Sequence, residues 1–386
     1  MRILHTADWH VGKVLKGRPR LEEEHRPVLR DLVRTAHEED VDLVLVAGDV
    51  FDTAAPTPAA QQLVMQTLMQ LNADGRRVVV QAGNHDNPRQ LDVFRPLLAE
   101  LGITVVGLPV GPADGGQVEI TTRAGETARL AVLPWVSPRS AVSAVQAMTR
   151  TQAEVNRDYA DNVARMVQVL CDGFDRPGAV NLLMTHATLV GGTKGGGERD
   201  THLFDYSVPA TVFPPHLHYG ALGHLHRRQV VPGPVPLHYS GAPLQVDFGE
   251  VDNTPGVVVV DVTAETPAVT RDVPLTGGRT LRTVAGTLTD LEALAPHTDP
   301  RDWLRVVVRE QPRTGLADDV RDLLPGALEV RIDPELVAAA GGPATDRLAG
   351  RSPVELFGDY LASLERADAE VLGRRFAELH DAQTGA

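Results

Sequence analysis

The sequence predicts an α/β fold whose functional residues sit on loops at one end of a sheet. Three observations carry this. Residues 2–6, 42–47 and 77–82 are short runs rich in β-branched residues, helical patterns fill the spaces between them, and a polar motif follows each run.

In chain order, the first run ends just before Asp8-Trp9-His10. Residues 21–39 then place Val28, Leu29, Leu32, Val33 and Ala36 on one helical stripe. The second run leads into Gly48-Asp49-Val50-Phe51-Asp52, and residues 58–72 read as a second helix. The third run leads into Gly83-Asn84-His85-Asp86, with a helix over 90–101. Further strands are predicted at 129–133, 179–184, 219–222 and 256–262; Thr185-His186 and Gly223-His224-Leu225-His226 follow two of them. Open α/β sheets gather ligand sites at such carboxyl ends.

The composition shifts after about Pro274, where Leu275-Thr276-Gly277-Gly278 reads as a hinge. The next stretch predicts a small α/β module: a strand, a helix at 290–294, a strand at 304–309, a helix at 316–324 and a strand at 328–332. A Gly/Pro-bearing polar stretch follows. Beyond it Phe357, Tyr360, Leu361 and Leu364, then Leu372, Phe376 and Leu379, recur at helical intervals. That helical pair is too small for a core of its own and should dock on something, either this chain or a partner. The expected organisation is 1–275, 276–340, a linker at 341–352 and a helical tail at 353–386.

Composition narrows the function. At 386 residues the chain exceeds a usual single domain. Its apolar runs fall far short of the roughly 18 to 20 residues of a membrane span. The first residues run straight into a strand without a secretory pattern, so a soluble cytoplasmic protein is expected. Cys171 is the only cysteine, which excludes intramolecular disulfides and argues strongly against a thiolate zinc site. A formal net charge of −14 argues against coating nucleic acid through global charge, although a metal-lined cleft carries positive charge of its own.

The motifs point to metal chemistry. Asp49, Asn84-His85 and His186 are polar stops at the ends of buried-type strands, where an unpaired carboxylate would be costly unless it met a cation. Asp8 with His10, and His224 with His226, add two pairs spaced by one residue. This mixed nitrogen and oxygen set suits manganese, iron or zinc rather than calcium. Lys13, Lys16, Arg18 and Arg20 read equally as a DNA-tracking stretch or a solvated loop, and Gly191 to Gly197 lacks the P-loop pattern and reads as a flexible loop. No ATP site is visible.

The ordered set D-x-H, GDxxD, GNHD, H, GHxH resembles the calcineurin-like metallophosphoesterase superfamily. More narrowly, the stretches around Asp8 and Asp49, Tyr239-Ser240-Gly241-Ala242-Pro243-Leu244 and Ser352-Pro353-Val354-Glu355-Leu356-Phe357 resemble the nuclease subunits of bacterial SbcCD complexes. The resemblance implies a core of mixed β-sheets flanked by helices, a DNA-facing cap over 276–340 and an SbcC-binding tail. It implies two Mn²⁺ ions, one on Asp8, His10, Asp49 and His226, the other on Asp49, Asn84, His186 and His224. His85 would contact the phosphate and stabilise or protonate the leaving 3′-oxygen. Asp52 would orient His85 or merely cap its loop. The implied partners are DNA, the SbcC ATPase and a second copy of the chain, paired through helices near 58–71 and 90–101. A small-molecule phosphodiesterase or phosphatase of the same superfamily is the competing expectation. The cap and tail weigh against it.

Overall fold

The computed structural model of the 386-residue chain describes residues 1–137, 152–198, 206–339, 354, 357, 361 and 371–376. In chain order the strands of three or more residues begin with β1 (Arg2–Thr6), β2 (Leu43–Val46), β3 (Arg77–Gln81), β4 (Ile103–Val106) and β5 (Gln117–Thr121). Next come β6 (Thr127–Leu133), β7 (Val180–His186), β8 (Tyr219–Gly223), β9 (Gln229–Val231) and β10 (Leu237–Tyr239). The last are β11 (Gly256–Asp261), β12 (Val269–Pro274), β13 (Leu281–Gly286), β14 (Trp303–Val308) and β15 (Ala327–Ile332). The helices are α1 (Arg26–Glu38), α2 (Pro58–Leu71), α3 (Pro88–Glu100), α4 (Gln152–Leu170), α5 (Leu288–Leu294), α6 (Leu316–Leu323) and α7 (Pro334–Ala339).

One six-stranded sheet runs β12-β11-β1-β2-β3-β4, parallel from β1 to β4 and antiparallel at β11 and β12. The other runs β9-β10-β8-β7-β6-β5, with parallel central strands and antiparallel edges. Strand alternation sets the layers. Leu43 and Leu45 of β2 pack between the sheets with Ile3, Val79, Leu130, Leu182 and Met184. Val44 and Val46 face Leu32, Val64 and Leu68 of α1 and α2. On the far side, Ala131, Leu133 and Leu183 meet Tyr159, Val163 and Val167 of α4. Among the described residues the result is helices, sheet, sheet, helix. Each fully buried aliphatic side chain contributes about 1.5–3 kcal/mol to that stack.

The chain divides into two compact units. The first comprises Met1–Thr283, Thr298–Arg305 and Gly326–Glu329; the second takes Val284–His297, Val306–Pro325 and the described residues from Val330 onward. Strands β13, β14 and β15 form a three-stranded sheet in that order. Helix α5 starts on a reciprocal capping box between Thr287 and Asp290. The expected linker at 341–352 and most of the expected tail, with Tyr360, Leu364 and Leu379, lie outside the described residues. Within the tail, Leu361 is buried and the rings of Phe357 and Phe376 stack at 4.3 Å.

Two differences from the predicted elements have physical causes. The helix expected from residue 21 opens as a wide turn, Leu21–His25, and becomes α-helical only at Arg26, with Pro27 in its first turn. Strands β4, β5, β9, β10 and β12 and helices α4 and α7 are additions; β12, Val-Thr-Arg-Asp-Val-Pro, is a largely exposed edge strand with little hydrophobic pattern. Among the described residues no helix is long and apolar enough to cross a membrane.

Candidate metal centre

The seven expected ligand positions converge at the carboxyl ends of both sheets. Asp8 and His10 follow β1, Asp49 follows β2 and Asn84 follows β3; His186 ends β7, and His224 follows β8. The loops are locked together by backbone hydrogen bonds from Asp8 N to Gly48 O, His10 N to Asp49 O and Val11 N to Val50 O, each 3.0 Å. Asp8, His10, Asp49 and His224 all hold positive φ, at 55°, 46°, 50° and 101°. Such conformations cost of order 1–3 kcal/mol each and persist where neighbours over-determine them. Here they aim ligand-type side chains inward. A β-carbon on Gly48 would strike His186 Nδ1 and stand 2.9 Å from the Gly83 backbone; one on Gly223 would strike the Ala47 carbonyl. The glycines before the motifs let the strand ends touch.

Asp49 is the hub. Its Oδ2 stands 3.7 Å from His10 Nε2, 3.5 Å from His186 Nε2 and 4.0 Å from His85 Nε2. Its Oδ1 accepts the His85 backbone N–H at 2.8 Å. His10 and His226 bring their Nε2 atoms to 3.0 Å of each other. Asn84 Oδ1 lies 3.0 Å from His186 Nε2 and 2.9 Å from His224 Nδ1. Both Asp8 oxygens accept the His224 N–H, at 3.0 and 3.2 Å.

This set fits cations. His186 Nδ1 lies 2.8 Å from the Ala47 carbonyl, an acceptor only, so that nitrogen carries hydrogen. A neutral His186 then turns the Nε2 lone pair toward the oxygens of Asn84 and Asp49, acceptor against acceptor. A shared ion resolves that conflict. Two ligand atoms at about 2.1 Å from one ion stand roughly 3.0 Å apart at a right angle, close to the spacings seen. Charge balance agrees. Burial would push the Asp49 carboxyl up, yet His186, His10 and His85 hold it well below the carboxylate range. Burial opposes protonation of His186 and His226, but Asp49 and Asp8 raise the former, and Glu250 the latter, to about 9. Burial lifts Asp8 to about 7 and drops His10 and His224 to about 3. Without a cation the cluster retains protons in its place.

The two other candidates are also here. His85 Nδ1 lies 2.8 Å from the Asp52 main-chain carbonyl. The Asp52 carboxylate stands 3.5 Å from His10 Nδ1 and 3.4 Å from Lys13 Nζ. Burial works against its ionisation, but His10 and Lys13 outweigh it and bring Asp52 down to about 2. Of the other basic residues near the first motif, Lys16 pairs with Glu329 at 3.2 Å, and Arg20 is buried against Glu24, unavailable to any nucleic acid. Within the stretch at 191–197, Gly195 and Gly196 donate to the Glu198 carboxylate, and Gly196 abuts Gly249.

Sequence reasoning missed four supporting side chains. Asp86 accepts from Val50 N, Phe51 N and Gly83 N at 3.2, 2.9 and 2.9 Å, joining two ligand loops. Its place in GNHD was the available signal. Glu250 receives His226 Nδ1 at 2.5 Å, and Glu198 receives His226 N at 2.9 Å. Trp135 lies over His224 with centroids 5.1 Å apart. These three sit in segments with no motif of their own.

Residues 1–227 match the calcineurin-like phosphoesterase family, and residues 278–364 match a family described as the type 5 capsule protein repressor C-terminal domain. The chain belongs to the calcineurin-like phosphoesterases, and with its buried His/Asp clusters it is a divalent-metal-dependent enzyme. Its relatives narrow the class. It is 33% identical over 339 residues to the SbcD subunit of the SbcCD nuclease of Bacillus subtilis, covering 86% of this chain and 85% of that one. The SbcD of Rhodobacter capsulatus is 37% identical across 71% and 69% of the two chains, and that of Escherichia coli K12 is 34% identical across 65% and 62%. The chain falls among the SbcD subunits of SbcCD nucleases.

Proposed function

We propose that this chain is a two-metal DNA nuclease, an exonuclease on duplex ends and an endonuclease on single strands or hairpins, that works in repair and recombination with an SbcC ATPase. One observation carries the reading: seven ligand-type side chains from five chain segments meet around one buried carboxylate, in a chain whose relatives are named nucleases. Asp8, His10, Asp49 and His226 would hold one ion; Asp49, Asn84, His186 and His224 would hold the other. Manganese is the proposed metal. Two divalent ions would supply charge for the phosphoryl oxygens and activate the attacking water.

The remaining work falls to the chain. The Asp52 carbonyl fixes His85 with hydrogen on Nδ1, and Nε2 is assigned to the scissile phosphate and the leaving 3′-oxygen. The influence of Asp52 on His85 runs through that carbonyl, while its carboxylate charges the neighbourhood of His10 and Lys13. Residues 276–340 are assigned as a DNA-facing cap, 341–352 as a linker, and 353–386 as the SbcC-binding tail. A second copy would pair through α2 and α3: Val93, Leu97 and Leu101 recur every four residues at 74%, 66% and 44% exposure, and Met69 of α2 is exposed as well. We assign the protein to the cytoplasm.

The test is digestion of a linear duplex and a DNA hairpin in manganese, with a small phosphodiester as control. Cleavage of both DNAs is expected. Cleavage of the small ester alone would favour a small-molecule phosphodiesterase and overturn the reading.

A further inference from the structure

The structure assigns Glu250 as a positioning residue for the ion held by Asp8, His10, Asp49 and His226: its carboxylate fixes which nitrogen of His226 is left to bind metal. This rests on the ligand reading above. Glu250 is only 1% exposed, and Oε1 lies 2.5 Å from His226 Nδ1. A carboxylate only accepts, so Nδ1 must carry hydrogen, and the lone pair of a neutral His226 is on Nε2. That is the atom facing His10 Nε2 at 3.0 Å.

Glu250 is itself held from all sides. Oε2 accepts the Val246 N–H at 2.7 Å, and the Glu250 carbonyl accepts from Gln245 Nε2 at 2.9 Å and Asn253 N at 2.8 Å. It closes a short turn, Phe248–Glu250, capped by the Asp247 side chain. Arg305 lies over the Phe248 ring at 4.9 Å and donates to the Phe248 carbonyl at 3.3 Å. From the opposite side, a β-carbon on Gly197 would strike Oε1 and stand 3.1 Å from His226 Nδ1. The carboxylate has one place to be. His186, a ligand of the other ion, is oriented by the neutral Ala47 carbonyl instead. The two ions therefore differ in what stands behind their histidines. A charged partner raises the basicity of its imidazole, and loss of such partners costs about 10- to 100-fold in metal affinity.

The experiment is calorimetric titration of the full, metal-free chain with Mn²⁺ alone. Wild type is expected to bind two ions. Glu250→Ala should weaken one of them about 10- to 100-fold and leave the other unchanged. Glu250→Gln should fall between, because its amide oxygen can accept from His226 while its NH₂ then meets the Val246 N–H. Gly197→Ala, which displaces the carboxylate without deleting it, should also weaken one ion; with Glu250→Gln it keeps the test alive if Glu250→Ala does not fold. Asn84→Ala should weaken the other ion. Wild-type binding of both ions in the Glu250 and Gly197 variants overturns the assignment. So does equal weakening of both ions with a lowered melting temperature, the mark of a merely structural role. A wild type that binds no Mn²⁺ overturns the ligand reading instead.

Discussion

Two buried polar clusters lie a dozen residues apart in the chain, one around Asp8 and His10, the other around Arg20 and Glu24. Arg20 and Glu24 are as buried as Asp8 and Asp49. Their accounting closes. Arg20 Nε and Nη2 reach the two Glu24 oxygens at 2.8 and 2.6 Å, Trp303 Nε1 adds a third donor at 2.9 Å, and the Gln245 carbonyl takes Arg20 Nη1 at 2.7 Å. One positive and one negative charge meet with every principal donor matched. The Asp49 cluster closes only by holding extra protons against burial: a neutral His186 would turn its Nε2 lone pair on the Asn84 and Asp49 oxygens. Burial and charge alone do not separate a support from a site. The completeness of the hydrogen-bond accounting does.

The sharpest way to break this distinction is at His85, which belongs to the open cluster but is not among the proposed ligands. His85→Ala should keep both Mn²⁺ ions at wild-type affinity while DNA turnover falls about 10²- to 10⁴-fold, the usual worth of a general acid. Parallel calorimetry and nuclease assays decide it. Retained turnover would remove the role proposed for His85.

The closed cluster predicts the opposite pattern. Arg20→Ala strands Glu24 in the interior, and breaking a buried pair in this way costs about 3–5 kcal/mol. Urea unfolding of metal-free protein should show that loss. Mn²⁺ affinity of the folded fraction should hold, since the Arg20 side chain bonds Glu24 and the Gln245 carbonyl rather than any proposed ligand. If metal affinity fell as far as stability, the two clusters would be one.

How much of this was legible beforehand follows the same line. The proposed ligand positions were readable because they follow strand runs, so sequence order alone put Asp49, Asn84 and His186 at strand ends; that these ends belong to two different sheets was not readable. The mixed α/β class was readable from the same runs and the motif order. Glu250 and Glu198 were not, because they reach His226 through folding of the loops at 245–253 and 191–198, and nothing local marks a carboxylate that will meet an imidazole. Asp52 shows the limit within a motif: its spacing from Asp49 was readable, but not that its carbonyl meets His85 while its carboxylate meets His10 and Lys13. The wide turn at Leu21–His25 hid for a related reason, since it is shaped by Glu24 reaching Arg20 and Trp303.

The open cluster should also announce itself through protons. His186 and His226, at about 9, hold protons at neutral pH when no cation is present, and Asp8 at about 7 is partly protonated. Ligands must shed these to bind metal, so affinity should rise with pH from about 6 to about 9 and level off above. Near pH 8, binding should release on the order of two protons, read from calorimetry in buffers of different ionisation enthalpy. A pH-independent affinity would mean that protons do not occupy the cation's place.

The smallest effect lies in the acid stability of the closed cluster. Burial pushes the Glu24 carboxyl up, but Arg20, with Trp303 and the Arg279 N–H, outweighs it and lowers the pKa. A lowered pKa means the folded state favours the ionised form. Its contribution is therefore complete above the unfolded value of about 4.3 and is lost as pH falls through the lower folded value. Glu24→Gln lacks that charge at every pH and leaves Arg20 without its counter-ion. The stability gap between wild type and Glu24→Gln should accordingly be constant from pH 7 to about 5 and narrow below about 4, in denaturant titrations of metal-free protein. A gap that stayed constant into acid would show that shape and packing, rather than the matched charges, hold Arg20 and Glu24 together, and the closed cluster would lose the feature that sets it apart from the open one.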